Sequence, residues 1–431
     1  MSLKFVQSIT LIILLTSVLF VSGASLVRAK SFKVVVVAPL EPTYQLNGWD
    51  VFKQQLQRLK EIGVYAIETD VWWNEFQPSE NTWNWTYYRE YAKNVNDSGL
   101  KWIPIISLHW VPNWVWQEYP DSKFVNDYNQ TSDMYLSYWH PASQSLITNA
   151  TDAFFETFED YNDTISGVYI SMGMWGELQY PWMLNNSLAN RTYYGYSRNA
   201  QLDFNRTMRS KYVTLDNANA NWGTDYNCWC SMEPPLPNTT SIGMWNDFLW
   251  WYNSTLVKFE DHILSAARQK YRGAILAKIS MDPNSTWDLM LGHSDYDAIF
   301  SVLAEYSVIP TCTYVENDLI ASKFANISRS HNLNMWAENA EIGADLKGVS
   351  KNLETFGYDV YSYIRMTDLF EHGATTSEPT ARYNELKNLT QGGSPFFPLL
   401  LVATLLVVAV VILVIVYKRK DSSSSEKKER A

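Results

Sequence analysis

Gly167-Val-Tyr-Ile-Ser-Met172 is followed directly by Gly173-Met-Trp-Gly-Glu-Leu-Gln-Tyr-Pro181. This pair of segments indicates a strand followed by a loop. The first part is a short apolar run with β-branched and aromatic residues, which is typical of a buried parallel strand. The second part places the carboxyl group of Glu177 just beyond the strand, with tryptophan nearby. Leu333-Asn-Met-Trp-Ala-Glu338 repeats the arrangement. Both glutamates are therefore expected at strand ends.

Similar apolar runs recur along the chain and alternate with amphipathic segments. The predicted strands are 32–38, 64–70, 101–108, 167–172, 274–280, 308–315, 333–338 and 360–365. Apolar residues at helical spacing predict helices between them, for example at 51–62, 87–98, 248–271 and 296–306. Eight strands with intervening helices predict an α/β fold, a closed (β/α)8 TIM-type barrel. The stretch 178–272 exceeds the length of a crossover and predicts a long insertion after the fourth strand.

In such a barrel, polar side chains at the carboxyl ends of the strands meet at one mouth. Glu177 and Glu338 would face each other there. Hydrolysis of a glycosidic bond needs one carboxylic acid to protonate the leaving oxygen and one carboxylate to activate water or attack carbon. We predict Glu177 as the acid, because Trp175 and Tyr180 would surround it with apolar groups and raise its pKa. Taken alone, either glutamate is also compatible with a surface position or a structural ion pair.

Four further polar residues close other predicted strands: Asp70, His109, Lys278 and Arg365. A carboxylate such as Asp70 beside two indoles can bind sugar hydroxyls, although it can also cap a helix. Lys278 lies within an apolar run, where an ammonium is costly to bury unless it faces the barrel mouth. Arg365 follows the same reasoning, with a structural ion pair as its main alternative. His109 is equally compatible with a buried, hydrogen-bonded histidine.

Composition narrows the class of protein. A net charge of −11 argues against nucleic acid as a partner, because phosphate binding needs a concentrated basic face. The 19 tryptophans and 27 tyrosines suit stacking on sugar rings, although core packing also uses aromatic residues. The six histidines show no ligand spacing, so neither a metal nor another cofactor is expected. Cys228 and Cys230 are too close in sequence to be expected to bond, which leaves one long bridge from Cys312 open.

The two ends of the chain carry export and membrane signals. Residues 1–29 follow the charged, apolar and small-residue order of a signal peptide. Residues 396–417 form an uncharged apolar run long enough to cross a hydrocarbon core of about 30 Å, and Lys418-Arg-Lys420 predicts a cytoplasmic tail at 418–431. Residues 30–389 would then be an extracellular hydrolase domain, joined to the membrane by the linker 390–395. About thirteen Asn-x-Ser/Thr sequons agree with this topology, among them Asn84, Asn129, Asn162, Asn190, Asn253 and Asn326.

At these residues the chain resembles glycoside hydrolase family 14, the β-amylases. Gly176-Glu-Leu-Gln-Tyr-Pro181 is similar to the family's acid motif, with Gln179 where an arginine is usual, and Ala337-Glu-Asn-Ala340 is similar to its base motif. Asp70-Val-Trp-Trp73, Ala277-Lys-Ile-Ser280, the helix at 248–264 and Tyr363-Ile-Arg365 match in the same order.

The resemblance implies inverting hydrolysis of α-1,4-glucan without a cofactor, with Glu177 as general acid and Glu338 as general base. It also implies sugar contacts from Asp70, His109, Lys278, Thr313, Asn339 and Arg365. Thr311 matches the family's threonine almost as well as Thr313 does.

Two departures from the family keep other functions open. The family has a glycine-rich lid directly after its strand-three histidine, and His109-Trp-Val-Pro-Asn-Trp114 leaves no room for it. Exo-release of maltose therefore does not follow from the resemblance. The segment 211–224 is similar instead to family 42 β-galactosidases, which place their two glutamates alike but retain configuration. The alternatives are a retaining β-glycosidase and a catalytically silent glycan-binding surface protein.

Overall fold

The strands of this chain build one closed barrel and one hairpin. The structure, a computed structural model, describes residues 32–38, 48–171, 173–182, 192–282, 286–341 and 343–391. Its strands are β1 (Lys33–Val37), β2 (Ala66–Trp72), β3 (Lys101–Ser107), β4 (Lys123–Val125), β5 (Thr131–Leu136), β6 (Val168–Ser171), β7 (Ile275–Ile279), β8 (Ile309–Cys312), β9 (Trp336–Ala337) and β10 (Val360–Arg365). All except β4 and β5 close a barrel in the order β1-β2-β3-β6-β7-β8-β9-β10, and β10 returns to β1.

Neighbouring barrel strands are all parallel, as in β2 and β3, where Ala66 pairs with Lys101 and Trp72 with Ser107. Each predicted strand overlaps an observed one, so the (β/α)8 barrel is confirmed. The antiparallel hairpin β4–β5, which follows β3, was not predicted. Its strands, Lys-Phe-Val and Thr-Ser-Asp-Met-Tyr-Leu, contain too few consecutive apolar residues to stand out among the apolar runs of the sequence.

Helices connect the barrel strands because each carries an apolar face that packs on the sheet. They are α1 (Trp49–Glu61), α2 (Trp73–Phe76), α3 (Thr86–Ser98), α4 (Asn113–Glu118), α5 (Ser143–Thr157), α6 (Arg198–Tyr212), α7 (Leu215–Trp222), α8 (Ile242–Lys270), α9 (Thr286–Leu291), α10 (Tyr296–Glu305), α11 (Asp318–Ser330), α12 (Leu346–Phe356), α13 (Met366–Leu369) and α14 (Ala381–Gln391). In α1, for example, Phe52, Leu56 and Leu59 are fully buried. The predicted helices agree, except that α8 begins six residues earlier, where Ser241 accepts a hydrogen bond from the amide of Met244.

The barrel interior holds a continuous apolar cluster, to which most strands contribute. Its members are Val35, Ala66, Ile103, Ile105, Tyr169, Leu276, Trp336 and Val360. Burying a side chain of this size stabilises the fold by about 1.5–3 kcal/mol relative to leaving it in water. This cluster fixes the strands whose carboxyl ends carry the candidate site.

The long insertion after β6 contains α6, α7 and α8. Asp247 on α8 accepts hydrogen bonds from the Nζ of Lys211 at 2.5 Å, the hydroxyl of Tyr212 at 2.6 Å and the indole of Trp222 at 2.7 Å. All three donors belong to the segment 211–224, which was predicted to be similar to family 42. In the folded chain these residues anchor α6 and α7 to α8.

The cysteine prediction is wrong for one pair. Cys228 and Cys230 form a disulfide, and their Cα atoms lie 5.1 Å apart. A single 3-10 turn, Trp229–Ser231, follows Cys228 and lets the chain double back within two residues. Cys312 is free and buried, so the long bridge that was left open does not form.

The chain divides into two compact units: Lys30–Leu386, and the two ends Met1–Ala29 with Lys387–Ala431. Of the second unit, the structure describes 387–391, the end of α14; this helix includes the first two residues of the predicted linker. The predicted signal peptide and the predicted span at 396–417 lie outside the described residues. Within the described part of the chain, no helix is both long and apolar enough to cross a membrane.

The predicted glycosylation sites differ in accessibility. Asn84, Asn129, Asn162 and Asn326 are exposed, as carrier residues must be. Asn253 is buried and donates a hydrogen bond to the carbonyl of Gly292 at 2.6 Å, so the folded chain cannot present it. Asn190 lies outside the described residues. The burial of Asn253 could not be predicted from the motif, because a sequon on a buried helix face has the same sequence pattern as one on the surface.

The buried carboxyl group of Glu260 on α8 should make the stability of the fold depend on pH. Its side chain is buried, and neither carboxyl oxygen has a hydrogen-bond partner among the described residues. Burial raises its pKa to about 8, so the folded state holds a proton that the unfolded chain releases at the ordinary glutamate value. The stabilisation is therefore complete below the unfolded pKa and is lost as pH rises to about 8, by up to about 1.4 kcal/mol per pH unit.

We expect Glu260→Gln, which cannot ionise, to remove this pH dependence and to be more stable than the natural chain above pH 8. Urea unfolding between about pH 5 and pH 9 measures the effect. Glu159→Gln at an exposed glutamate is the matched control and should follow the natural chain. Identical pH dependence in the natural chain and in Glu260→Gln would show that the buried carboxyl is paired in solution.

Candidate active site

The loop after β6 presents Glu177 through a tight turn in which Gly173 and Gly176 leave no room for a side chain. The amide of Gly173 donates to the carbonyl of Glu177 at 2.8 Å, and the amide of Glu177 donates to the carbonyl of Met174 at 3.1 Å. Trp175 and Gly176 both have positive φ, 58° and 83°. A side chain on Gly176 would also press on Ile105 and Tyr169, at 3.2 and 3.3 Å. The two glycines of the motif are therefore needed to turn the glutamate towards the mouth.

The same loop is locked from both sides. Leu178 donates its amide to the carbonyl of Lys278 at 2.9 Å, which continues the β6–β7 pairing past the strand end. The hairpin supplies the hydroxyl of Tyr135, which accepts from the amide of Met174 at 3.2 Å. Tyr180 stacks on Tyr252 of α8 with ring centroids 3.7 Å apart. The long insertion and the hairpin thus act as supports for the loop that carries Glu177.

The carboxyl of Glu177 has a strongly raised pKa. Burial in the barrel mouth is the main cause, the negative charge of Glu338 adds to it, and the pKa reaches about 8. Lys278 and a hydrogen bond from the side-chain amide of Gln179 act in the opposite direction. Of the two aromatic residues expected to create this environment, Tyr180 is fully buried, whereas Trp175 is 48% exposed. Near neutral pH this carboxyl carries a proton that it can donate.

Glu338 directly follows β9 and lies next to the buried ammonium of Lys278. Its Oε2 is 2.7 Å from the Nζ of Lys278, and its backbone is held by the carbonyl of Cys312 and the amide of Val315, at 2.7 and 3.1 Å. Burial raises the pKa of Glu338 to about 7, although Lys278 opposes the shift. Above that pH the group is a carboxylate. The two glutamates are therefore suited to opposite roles at the same pH.

Lys278 is buried, and its ammonium is paired with carboxyl groups, which offsets the cost of burial that the sequence indicated. Its Nζ lies 2.7 Å from Oε1 of Glu68 as well as 2.7 Å from Glu338, and 4.9 Å from the ring centre of Tyr169. Glu68 is fully buried within β2, and its Oε2 accepts a hydrogen bond from Ser362 at 2.8 Å. Sequence reasoning missed Glu68. The argument used for Lys278, a charged residue inside an apolar strand, applies equally to Ala66-Ile-Glu-Thr-Asp70.

Asp70 and His109 lie at the ends of neighbouring strands. Asp70 is partly buried and accepts a hydrogen bond from Ser107 at 2.5 Å; burial raises its pKa, and this hydrogen bond opposes the shift. His109 is fully buried, and neither ring nitrogen has a partner among the described residues. Burial lowers the pKa of His109 to about 3, so its ring is neutral and can both donate to and accept from a hydroxyl group. Close to them in sequence, Trp72 and Trp110 pack against each other with ring centroids 5.6 Å apart.

The remaining residues predicted to contact sugar differ in how many hydrogen bonds they make within the protein. Thr311 lies inside β8 and bonds the hydroxyl of Tyr169 at 3.0 Å, whereas Thr313 follows the strand. Asn339 is buried, accepts from Tyr361 at 2.5 Å and donates to the carbonyl of Glu341 at 2.5 Å, so it holds its own loop. Arg365 ends β10 and is partly buried. The sugar contacts implied for all of these residues stay predictions.

An aromatic rim borders the loop of Glu177. Trp175 lies 6.0 Å from Trp182, and Trp182 lies 5.6 Å from Trp287 on α9. Such rings can stack on the apolar faces of sugars. The described residues contain no group of three or more His, Cys, Asp or Glu side chains arranged to hold a metal ion.

A TIM-type barrel with two buried glutamates at its mouth is an arrangement that glycoside hydrolases use. The chain belongs to glycosyl hydrolase family 14, because residues 35–287 match the sequence model of that family. This membership confirms the enzyme class predicted from sequence.

Individual relatives agree with this assignment. The thermophilic β-amylase of Thermoanaerobacterium thermosulfurigenes is 28% identical over 449 residues, covering 90% of this chain and 81% of the relative. The catalytic domain of β-amylase from Paenibacillus polymyxa has a TM-score of 0.76 at 27% identity, covering 85% of this chain and 99% of that domain. A family 42 β-galactosidase from G. stearothermophilus reaches a TM-score of 0.61 at 16% identity, over 84% of this chain and 56% of that enzyme. The last likeness shows a shared fold alone.

Proposed function

We propose that this protein hydrolyses α-1,4-glucosidic bonds of a polysaccharide with inversion of configuration. Glu177 protonates the leaving oxygen, and Glu338 activates the attacking water. Lys278 and the neutral His109, with Asp70, Thr313, Asn339 and Arg365 around the mouth, bind the sugar hydroxyls. The substrate class is that of the β-amylases to which the chain is similar.

The observation that carries this proposal is the electrostatic difference between the two glutamates. Glu338 lies 2.7 Å from the ammonium of Lys278, which favours its carboxylate form, whereas burial and the negative charge of Glu338 raise the pKa of Glu177 and favour its protonated form. A two-carboxylate glycosidase requires that combination in its resting state, whether it inverts or retains configuration. The proposed activity is therefore highest between about pH 7 and pH 8. The choice of inversion rests on the similarity to β-amylases.

The anomer of the first product tests the proposal. Proton NMR of a starch or maltooligosaccharide digest, recorded before mutarotation, should show a β-anomeric reducing end. An α-anomeric product from the same substrate would overturn inversion. Hydrolysis of β-galactosides in place of α-glucans would favour the retaining alternative, and binding of glucan without turnover would favour a silent glycan-binding protein.

The size of the first product reports the mode of attack. Helix α4 begins at Asn113, four residues after His109, so the chain continues into the helix where the family has its lid. Maltose alone, from the earliest time points, indicates exo-action. A ladder of longer fragments indicates an open groove and endo-action.

We also propose that the hydrolase domain lies outside the cell, anchored through residues 396–417. The support comes from sequence: an apolar run followed by Lys418-Arg-Lys420, a signal-like N-terminus and exposed sequons such as Asn84 and Asn326. We expect the full chain to stay with membranes at alkaline pH and to lose mass on treatment with an amidase that removes N-glycans. Recovery as an unglycosylated protein in the soluble fraction would contradict this placement.

A further inference from the structure

A buried chain of polar contacts crosses the barrel beneath the candidate site. The hydroxyl of Ser362 on β10 donates to Glu68 on β2 at 2.8 Å, Glu68 lies 2.7 Å from the Nζ of Lys278 on β7, and that Nζ lies 2.7 Å from Glu338. These contacts join three strands, β2, β7 and β10, none of which is adjacent to another in the barrel. Lys278 is shared between two carboxyl groups, of which only Glu338 has a proposed part in the reaction.

Stability does not explain why Glu68 is there. Interior positions of TIM-type barrels are usually filled by branched apolar side chains, and several strands here follow that pattern. Replacing a buried ion pair by apolar residues is often neutral or stabilising, because desolvating the charges costs several kcal/mol. Glu338 alone would already pair Lys278. A second carboxyl facing the same ammonium therefore points to a functional role.

We propose that Glu68 is a positioning residue: it holds Lys278 at a fixed place between two carboxyl groups and thereby sets how strongly that ammonium acts on Glu338. The inference rests on the proposed function, because it concerns the same two glutamates. In this role the carboxyl group of Glu68 does not contact the sugar, and it acts on the general base Glu338 through Lys278.

The consequence concerns one glutamate more than the other. Lys278 lowers the pKa of Glu338, and the negative charge of Glu68 raises it again. The pKa of Glu177 is set by its own burial and by Glu338, Lys278 and Gln179. Removing the charge of Glu68 should therefore shift the titration of the base and leave that of the acid nearly in place.

Other ionisable groups also face this part of the mouth. Around Glu338 they are Lys278, Glu68, Glu316, Glu177, Tyr169, Cys312 and Tyr361, and Glu68 also faces Asp70. Burial holds the pKa values of Tyr169, Tyr361 and Cys312 above their ordinary range. They stay neutral across the working pH, so the shift is carried by the carboxyl groups and Lys278.

The test is the pH profile of kcat/KM for the natural chain and for Glu68→Gln on a maltooligosaccharide. Glutamine keeps the shape of glutamate but carries no charge. We expect the acidic limb, near pH 7 in the natural chain, to move down by about one pH unit, while the alkaline limb near pH 8 moves far less. A loss of activity that is equal at every pH, with both limbs unmoved, would show a merely structural role and overturn the inference.

Two further variants separate the effect of the Glu68 charge from the general loss of a buried carboxyl group. Glu260→Gln removes a buried carboxyl from α8, outside the site, and should leave both limbs in place. Ser362→Ala keeps the charge of Glu68 but removes the hydroxyl that stabilises it, so Glu68 competes harder for Lys278 and the acidic limb should move to higher pH. If Glu68→Gln fails to fold, the Ser362→Ala shift decides: an unmoved limb overturns the inference.

A readout that needs no catalysis separates this inference from the proposed function. Carbon-13 NMR of labelled glutamate carboxyls, with Glu338 assigned by its loss in Glu338→Gln, gives the titration of Glu338 in the natural chain and in Glu68→Gln. If glucan is not hydrolysed but the Glu338 titration moves down by about one unit, the positioning role stands and the proposed function fails. If glucan is hydrolysed and neither limb nor titration moves, the inference fails alone.

Discussion

Glu177→Gln should lower the rate of glucan hydrolysis by about 10²- to 10⁴-fold, the usual contribution of a positioned general acid. The natural carboxyl is protonated near neutral pH because burial raises its pKa to about 8, and glutamine cannot donate that proton. The loss should fall on kcat, since the shape of the mouth is kept. Steady-state kinetics on a maltooligosaccharide measure it.

A substrate with a better leaving group makes this prediction specific. Fluoride departs with little help from an acid, so Glu177→Gln should hydrolyse α-maltosyl fluoride much closer to the natural rate than it hydrolyses glucan. Glu260→Gln is the control for loss of a buried carboxyl and should act normally on both substrates. Unreduced glucan turnover in Glu177→Gln would remove this residue from the reaction.

Glu338→Gln should lower hydrolysis by a similar factor, about 10²- to 10⁴-fold, but on both kinds of substrate. An inverting reaction needs a base to activate water whatever the leaving group, and an amide has no such basicity. Folding should be retained, because Lys278 keeps its 2.7 Å contact with Glu68 when the charge of Glu338 is removed. The rates on glucan and on α-maltosyl fluoride, measured side by side, provide the test.

The two variants together separate acid from base. If Glu338→Gln recovers with the fluoride and Glu177→Gln does not, the roles are exchanged. If both retain the natural rate on glucan, neither glutamate is catalytic, and the aromatic rim would serve binding alone. A circular dichroism spectrum unchanged from that of the natural chain establishes that each loss is chemical.

Much of the fold could be predicted because strand and helix periodicities are local. The predicted strand at 101–108 differs from β3 by one residue, and the predicted helix at 87–98 differs from α3 by one. The hairpin β4–β5 could not be predicted, since its short strands are stabilised by pairing with each other and by packing under the Glu177 loop. Cys228 and Cys230 were missed for a different reason: a single turn brings them together, and such a turn leaves no periodic pattern in the sequence.

The candidate site was predicted in part. Strand-end position led to the selection of Glu177, Glu338, Asp70, His109, Lys278 and Arg365. The structure places Asp70, Lys278 and Arg365 among the last three residues of their strands, Glu338 and His109 just beyond theirs, and Glu177 in the loop after β6. Strand-end position could not select Glu68, which lies inside β2 and reaches Lys278 only across the closed barrel. Nor could it show that the amide of Asn339 is occupied by Tyr361 and Glu341.

The barrel, the family and the two candidate glutamates can be predicted from the order of residues alone, because alternating apolar runs, glycine turns and strand-end carboxyl groups are properties of neighbouring residues. Which charges share the barrel interior depends on the closed fold. Closing the sheet brings β2, β7 and β10 around one ammonium and gives Glu177 and Glu338 different proton affinities. Those affinities depend on desolvation and on charges far apart in sequence, which no local pattern records.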